Sequence, residues 1–128
     1  MKFGREHRLT QRPEFLHCYD KGRRFFSSGF VLFAAEREDR SLPWRLGLAV
    51  SKKTGGAVRR NRVRRLVREV FRLAAAEVPG GYDYVVTPKR GIDLRAIRLE
   101  SVRAELLPLI SKLGGTAPQT PSKGHDAP

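Results

Sequence analysis

The sequence has a single cysteine and no long hydrophobic segment. Cys18 alone excludes an intramolecular disulfide, and a lone thiol is typical of a protein from a reducing compartment. No apolar run approaches the length of a membrane span or of a secretion signal. We therefore expect a cytoplasmic protein that does not enter a membrane, with Cys18 buried in its core.

The sequence also lacks the residue clusters from which a protein nuclease is built. Such an enzyme needs converging carboxylates or histidines to hold Mg²⁺ or to activate water. The histidines are scattered along the chain, at His7, His17 and His125. The acidic residues are sparse and unclustered, and Asp20, Asp83 and Asp93 are expected at a helix end, in a strand and at a helix cap. The sequence therefore predicts no catalytic residues and no metal site in the protein itself.

Positive charge is present in excess, and it is concentrated in one segment. The formal net charge is +13. Seven arginines and a single acid, Glu69, lie within residues 59–72 and give that segment a charge of +6, which Lys52 and Lys53 raise to +8. A local excess of this size indicates a polyanionic partner, with nucleic acid ahead of an anionic membrane. The membrane interpretation is the weaker one, because basic membrane helices usually carry Trp or Phe anchors along an otherwise very apolar face.

The apolar periodicity predicts one folded domain over residues 1–113. The predicted strands lie near 24–27, 30–35, 44–51 and 82–87. The predicted helices are one over 10–20 that Thr10 caps, a basic helix from 58 or 60 to 77, and a helical region over 93–113 that begins at Asp93. Pro108 is expected to kink or divide this last region. The order α-β-β-β-α-β-α-α predicts an α+β fold, a single α/β sandwich with a four-stranded sheet. Residues 114–128 show no apolar periodicity and are predicted to form a disordered tail.

The arginines of the basic helix share one face. Arg60, Arg64, Arg68 and Arg72 follow one another at the i, i+4 spacing, opposite a stripe of Val and Leu. Like charges at this spacing repel by ~0.2–0.5 kcal/mol per pair, so a polyanion is expected to offset the repulsion. Arginine forms two parallel hydrogen bonds with a phosphate and also stacks on bases. A merely solvated basic face would be expected to contain more lysine and glutamate.

The segment before the helix fits the same chemistry. Gly55 and Gly56 allow the backbone to approach a phosphate closely, and the amides of a helix start add partial positive charge. Asn61 has two interpretations from the residues alone, as a helix cap or as a hydrogen-bonding group for RNA. A DNA-reading helix would mix Gln, Asn and Ser among its basic residues, whereas this helix is suited to phosphates, so DNA is not expected.

Residues 51–69 read SKKTGGAVRRNRVRRLVRE. This string resembles the signature of the bacterial ribonuclease P protein family over its whole length. The resemblance extends over about residues 5–113, and it includes Arg8-Leu9 with Phe15 and Tyr19 in the first helix, and the strands 30–33, 46–50 and 82–86. A general RNA-binding or ribosome-associated protein is the alternative, because it shares the charge but does not require the full motif.

The resemblance implies a specific function. Members of the family are small subunits that bind a catalytic RNA, with which they remove the 5′ leader of precursor tRNA endonucleolytically to give the mature 5′ end. It implies one protein per catalytic RNA, with catalysis residing in the RNA and with Mg²⁺ bound mainly by that RNA and the substrate. It also implies a left-handed βαβ crossover, although right-handed is the default for such a unit.

The resemblance also assigns site residues. The phosphate-binding set for the catalytic RNA and tRNA is Lys52, Lys53, Arg60, Asn61, Arg62, Arg64, Arg65, Arg68 and Arg72. The leader-binding cleft is formed by Phe15, Tyr19 and Phe33. Stacking on aromatic rings is worth roughly 1–3 kcal/mol per base and tolerates many sequences, which suits varied leaders. Without the resemblance, an aromatic pair at i, i+4 would be assigned to the core.

Overall fold

The computed structural model describes residues 4–114, and within this range it contains four strands and three α-helices. The strands are β1 (Arg23–Phe26), β2 (Phe30–Glu36), β3 (Arg45–Leu48) and β4 (Tyr82–Pro88). The helices are α1 (Arg12–Lys21), α2 (Ala57–Leu73) and α3 (Leu99–Gly114). The predicted α+β class is thus confirmed, and residues 115–128, most of the predicted tail, lie outside the described residues.

The four strands form one mixed sheet in the order β1-β2-β4-β3. Strand β2 is antiparallel to both β1 and β4, whereas β3 lies parallel to β4. Helix α2 connects the two parallel neighbours, so β3, α2 and β4 form the predicted βαβ unit. The four-stranded sheet is confirmed, and the left-handedness of the crossover stays a prediction.

The two faces of the sheet are covered differently. Alternate strand residues such as Leu32 and Tyr84 point toward α2 and α3 and form the larger core with them. The opposite face carries Ala35 and Val85, which pack against Cys18 of α1 in a smaller cluster. Helix α1 covers only part of this second face, and the remainder forms an open surface.

The predicted division of the last helical region is wrong. Helix α3 is a single helix that contains Pro108, and it begins at Leu99 rather than after Asp93. A proline removes one backbone hydrogen bond to the residue four positions earlier. Here that residue, Ala104, is exposed like Pro108 itself, so water can satisfy its carbonyl. Buried side chains on both sides of the proline hold the helix on the sheet: Val102, Leu106, Leu109 and Ile110. The element order is therefore α-β-β-β-α-β-α.

Two predicted helix caps also differ, and the cap interpretation of Asn61 is excluded. Gln11, not Thr10, precedes α1, and its amide donates to Oε1 of Glu14 at 3.1 Å. The carboxylate of Asp93 accepts from the amide of Arg95 in a separate turn, before α3. Helix α2 follows Gly56, so Asn61 lies in the second turn and does not cap it. At α1 and at the turn of Asp93, local hydrogen bonds rather than apolar periodicity determine the local structure.

Candidate nucleic-acid interface

Helix α2 presents its arginines away from the sheet. Val63, Val67, Val70 and Phe71 are buried against the sheet and fix the orientation of the helix. The predicted phosphate-binding residues of the helix are exposed or half-buried on its remaining surface: Arg60, Asn61, Arg62, Arg64, Arg65, Arg68 and Arg72. The amphipathic pattern therefore produces the predicted basic face.

Most of these arginines have no carboxylate partner. Nε of Arg72 donates to Glu69 at 2.9 Å, and this hydrogen bond holds the pKa of Glu69 below its usual value. Arg64 instead donates to Oδ1 of Asn61 at 3.0 Å, and Arg60 donates to the carbonyl of Gly55 at 3.1 Å. Within residues 4–114, no carboxylate pairs with the other six arginines of this helix. Their charge is therefore available to a polyanion.

The N-terminal segment adds one arginine that sequence reasoning missed. The amide of Leu9 donates to the carbonyl of Leu46 in β3 at 3.0 Å, which places Arg8 beside the edge of the sheet. The ring of His7 lies on Trp44, with the centroids 4.1 Å apart, and Nδ1 of His7 donates to the carbonyl of Trp44 at 2.7 Å. The ring of Trp44 in turn packs against Phe71 of α2. These contacts hold the segment against the side of the basic helix.

Arg8 consequently joins the basic face. The pKa of Arg68 lies below its usual value because its guanidinium is partly desolvated and because Arg8 and Arg64 repel its charge. No periodicity relates Arg8 to residues some 60 positions later in the chain. Its contribution arises from tertiary packing alone, so local sequence patterns gave no signal for it.

Lys52 and Lys53 lie at the start of the basic segment. They are exposed in a 3-10 turn, Lys52–Thr54, that leads into Gly55 and Gly56. Beside this turn, the segment that follows β3 and the end of β4 border an open cavity of about 700 Å³. Its lining includes Lys53, Lys89 and Arg90, and also Ala49 and Thr87. The cavity therefore joins the basic segment to the open face of the sheet.

The three predicted cleft aromatics come together on that open face. The rings of Tyr19 and Phe33 meet edge to face, with centroids 4.9 Å apart. Phe15 and Phe33 are half-buried, and Tyr19 is 41% exposed. The three rings thus border the smaller cluster without being enclosed by it. Cys18 of that cluster is fully buried, and burial raises the pKa of its thiol to about 12, with repulsion from Asp83 adding to the effect.

Gly47 leaves the space that Phe15 occupies. A Cβ at this position would lie 2.6 Å from Cζ of Phe15 and 3.1 Å from Cβ of Leu9. We expect Gly47→Ala to force Phe15 out of its position and to lower the free energy of unfolding by about 1–3 kcal/mol, measured by urea denaturation. Gly56→Ala is the matched control, because its Cβ would meet nothing within 4 Å. Equal stability of the Gly47 variant and the wild type would contradict the close contact.

An ion network links helix α1 to two strands of the sheet. Arg45 in β3 donates from two nitrogens to Asp83 in β4, at 2.7 and 2.8 Å, and from a third to Glu14 in α1, at 2.9 Å. The bonds to Asp83 raise the pKa of Arg45 despite partial desolvation. Asp83 is 5% exposed. The network therefore fixes α1, which carries Phe15 and Tyr19, to the sheet.

Among residues 4–114, no group of three His, Cys, Asp or Glu side chains is placed to hold a metal ion. In the same part of the chain, no helix is both long and apolar enough to cross a membrane.

Comparison with known proteins places this geometry in a family. The family model described as "Ribonuclease P" matches residues 3–114. The ribonuclease P protein component of Oleidesulfovibrio alaskensis is 52% identical over 109 residues, which cover 85% of this chain and 87% of that protein. The chain belongs to the ribonuclease P protein family. Membership supports roles in tRNA processing and RNA binding.

Solved structures agree with this assignment. The RNase P protein from Thermotoga maritima superimposes with a TM-score of 0.75 and 33% identity, over 84% of this chain and 98% of that one. The RNase P protein of Staphylococcus aureus gives a TM-score of 0.71 over 84% of this chain and 95% of that one. At 24% identity, the second likeness concerns the fold alone. The family resemblance seen in the sequence is therefore confirmed.

Proposed function

We propose that this chain is the protein subunit of a ribonuclease P that binds a catalytic RNA and the 5′ leader of precursor tRNA. One observation carries the proposal: in a chain of this family, the basic segment and the open face of the sheet border the same cavity. The cavity beside Lys53 is lined by Lys53 and Thr54, just before α2, and by Ala49, which packs against the same cluster as Phe15 and Phe33. One extended RNA ligand can therefore contact both surfaces.

In this proposal the basic face binds the catalytic RNA and adjacent tRNA phosphates. The six arginines without carboxylate partners, with Arg8, Lys52 and Lys53, would displace counterions from the RNA, so binding weakens as salt rises. Because the helix is fixed by its buried stripe, the side chains are already oriented when the RNA binds. The surface acts mainly by attraction to phosphate, and such contacts position an RNA without reading its base sequence.

The cleft has the complementary task of holding the single-stranded leader. Half-buried rings that meet edge to face leave ring surface free for stacking. Stacking is insensitive to sequence, because every base has a flat aromatic face. The cleft would thus distinguish precursor from mature tRNA by the presence of a leader. Binding of the leader beside the basic face would also offset phosphate repulsion near the cleaved bond.

The chemistry of cleavage is assigned to the RNA. Mg²⁺, held mainly by the RNA and the substrate, would activate the attacking water and stabilise the leaving oxygen. The protein's contribution is to bind and orient, with one protein per RNA. Cleavage favours release of the mature tRNA, because this product has no leader to occupy the aromatic cleft.

The leader assignment can be tested with variants of the cleft. The holoenzyme, reconstituted with a bacterial ribonuclease P RNA, is expected to bind precursor tRNA more tightly than mature tRNA. We expect Tyr19→Ala and Phe33→Ala each to weaken precursor binding by roughly five- to a hundredfold, which corresponds to one lost stack, and to leave binding of mature tRNA unchanged. Equilibrium binding at fixed salt and Mg²⁺ measures both.

Leu42→Ala is the matched control, because Leu42 is similarly exposed, at 40%, on a loop outside the cleft. Thermal unfolding of each variant separates loss of binding from loss of folding. A wild-type holoenzyme that binds precursor and mature tRNA equally would contradict the proposed function. Equal weakening of both ligands by Tyr19→Ala would contradict the cleft assignment.

A further inference from the structure

Phe26 is an exposed aromatic residue on the same face as the cleft. In the register of β1 and β2, Phe26 lies opposite Val31 and Arg24 lies opposite Phe33. Directly opposed residues of an antiparallel pair point to the same side of a sheet, so Phe26 and Arg24 share the face of Phe33. Phe26 is 38% exposed, and helix α1 does not cover it.

The neighbouring charges are positive. Nζ of Lys89 lies over the ring of Phe26, 5.4 Å from its centroid. The backbone of Lys89 is fixed by a hydrogen bond from its amide to the carbonyl of Gly29, at 2.8 Å. Within the described residues neither Lys89 nor Arg24 has a carboxylate partner. An apolar ring between two unneutralised cations suits a nucleotide, which offers both a flat base and a phosphate.

The spacing allows this ring to bind a base of its own. Diagonal neighbours on adjacent strands, such as Phe26 and Phe33, lie about 7–8 Å apart. That separation exceeds the ~3.4 Å rise between stacked nucleotides, so it suits a strand that is extended rather than continuously stacked. Phe33 and Phe26 can therefore hold different bases of one extended strand, with Val31 and Arg24 between them.

We infer that Phe26, with Lys89 and Arg24 beside it, forms an additional nucleotide-binding position that extends the cleft to the outer strand β1. The ligand is a single-stranded RNA segment: its base stacks on Phe26, and its phosphates contact the two cations. This inference rests on the proposed function, since it takes the leader as the strand that enters the cleft. A leader that ends short of β1 does not reach Phe26, so the contribution of this position depends on leader length.

The test is a series of precursor tRNAs whose leaders are lengthened one nucleotide at a time. Affinities are measured for the holoenzyme carrying wild-type protein, Phe26→Ala or Phe26→Trp. We expect Phe26→Ala to match the wild type with short leaders and to bind about five- to a hundredfold more weakly once the leader reaches β1. Phe26→Trp retains a ring and is expected to bind long leaders at least as well as the wild type.

The outcomes separate this inference from the proposed function. If wild-type affinity rises with leader length and Phe26→Ala follows the same curve, the position on β1 is refuted while the cleft stands. Equal loss by Phe26→Ala with every leader, including none, also refutes it. If wild-type affinity is independent of the leader, the proposed function fails and this inference with it. Thermal unfolding shows whether the alanine variant is folded, and the tryptophan variant tests the ring requirement independently.

Discussion

Alanine at Arg64, Arg65 and Arg68 together is expected to weaken binding to a bacterial ribonuclease P RNA by about a thousandfold. Hydrogen bonds to charged groups contribute about 1.5–3 kcal/mol each, and solvent exposure places these contacts at the low end. Each lost phosphate contact also reduces the slope of log affinity against log salt by about 1, so the slope should fall by roughly two to three. Filter binding across a salt series measures both quantities.

The same substitution is expected to leave the fold intact. Arg65 and Arg68 are exposed, Arg64 is half-buried, and α2 is held by its buried stripe on the other side. Alanine is the best helix former and removes the repulsion between neighbouring arginines, so unfolding stability should be equal or slightly higher. Loss of binding without loss of stability distinguishes an RNA interface from a structural role.

A matched control removes the same charge elsewhere. Arg95, Arg98 and Arg103 are also exposed, but they lie outside the basic face. We expect their joint replacement by alanine to weaken RNA binding much less than the triple change in α2. Similar losses from the two triple variants would mean that total charge, rather than the surface on α2, determines affinity, and would contradict the account.

Replacing Arg45 by methionine is expected to lower the free energy of unfolding by about 3 kcal/mol. Breaking a buried ion pair from one side leaves an uncompensated charge, which costs about 3–5 kcal/mol, and the partial exposure of Arg45 favours the low end. Asp83 would keep only Arg37, at 3.8 Å. Chemical denaturation measures the change.

Two further variants identify the origin of this effect. Lys21→Met removes an exposed pair with Asp20 at 3.9 Å and should change stability by less than about 1 kcal/mol. Adding Asp83→Asn to Arg45→Met removes the stranded carboxylate and should restore part of the stability. If the double variant is no more stable than Arg45→Met, lost packing rather than an unpaired buried charge is responsible.

Local sequence patterns were sufficient for the basic helix. The spacing of Val63, Val67 and Val70 fixed which side of α2 is buried, and the arginines followed on the other side. The continuous apolar run over residues 30–35 likewise fits a strand with buried residues on both faces, as Leu32 and Ala35 show. These features depend on side-chain periodicity, which a single segment contains in full.

Other features depended on contacts between distant segments. Arg8 reaches Arg68 only because the N-terminal segment pairs with β3, and Phe26 joins the open face only through its register with Val31. Pro108 suggested a break in the last helix, but packing on both of its sides outweighs one missing hydrogen bond. The cleft aromatics were assigned by family resemblance, since their spacing alone fits an ordinary core.

Single-turnover cleavage of precursor tRNA at low Mg²⁺ tests the central claim most directly. A bacterial ribonuclease P RNA is assayed with and without this protein, and the protein is assayed alone. The account predicts cleavage about tenfold or more faster with the protein, equivalent to about 1.4 kcal/mol, a product with a 5′ phosphate, and no cleavage by the protein alone. Equal rates with and without the protein, or cleavage by the protein in the absence of RNA, would contradict it.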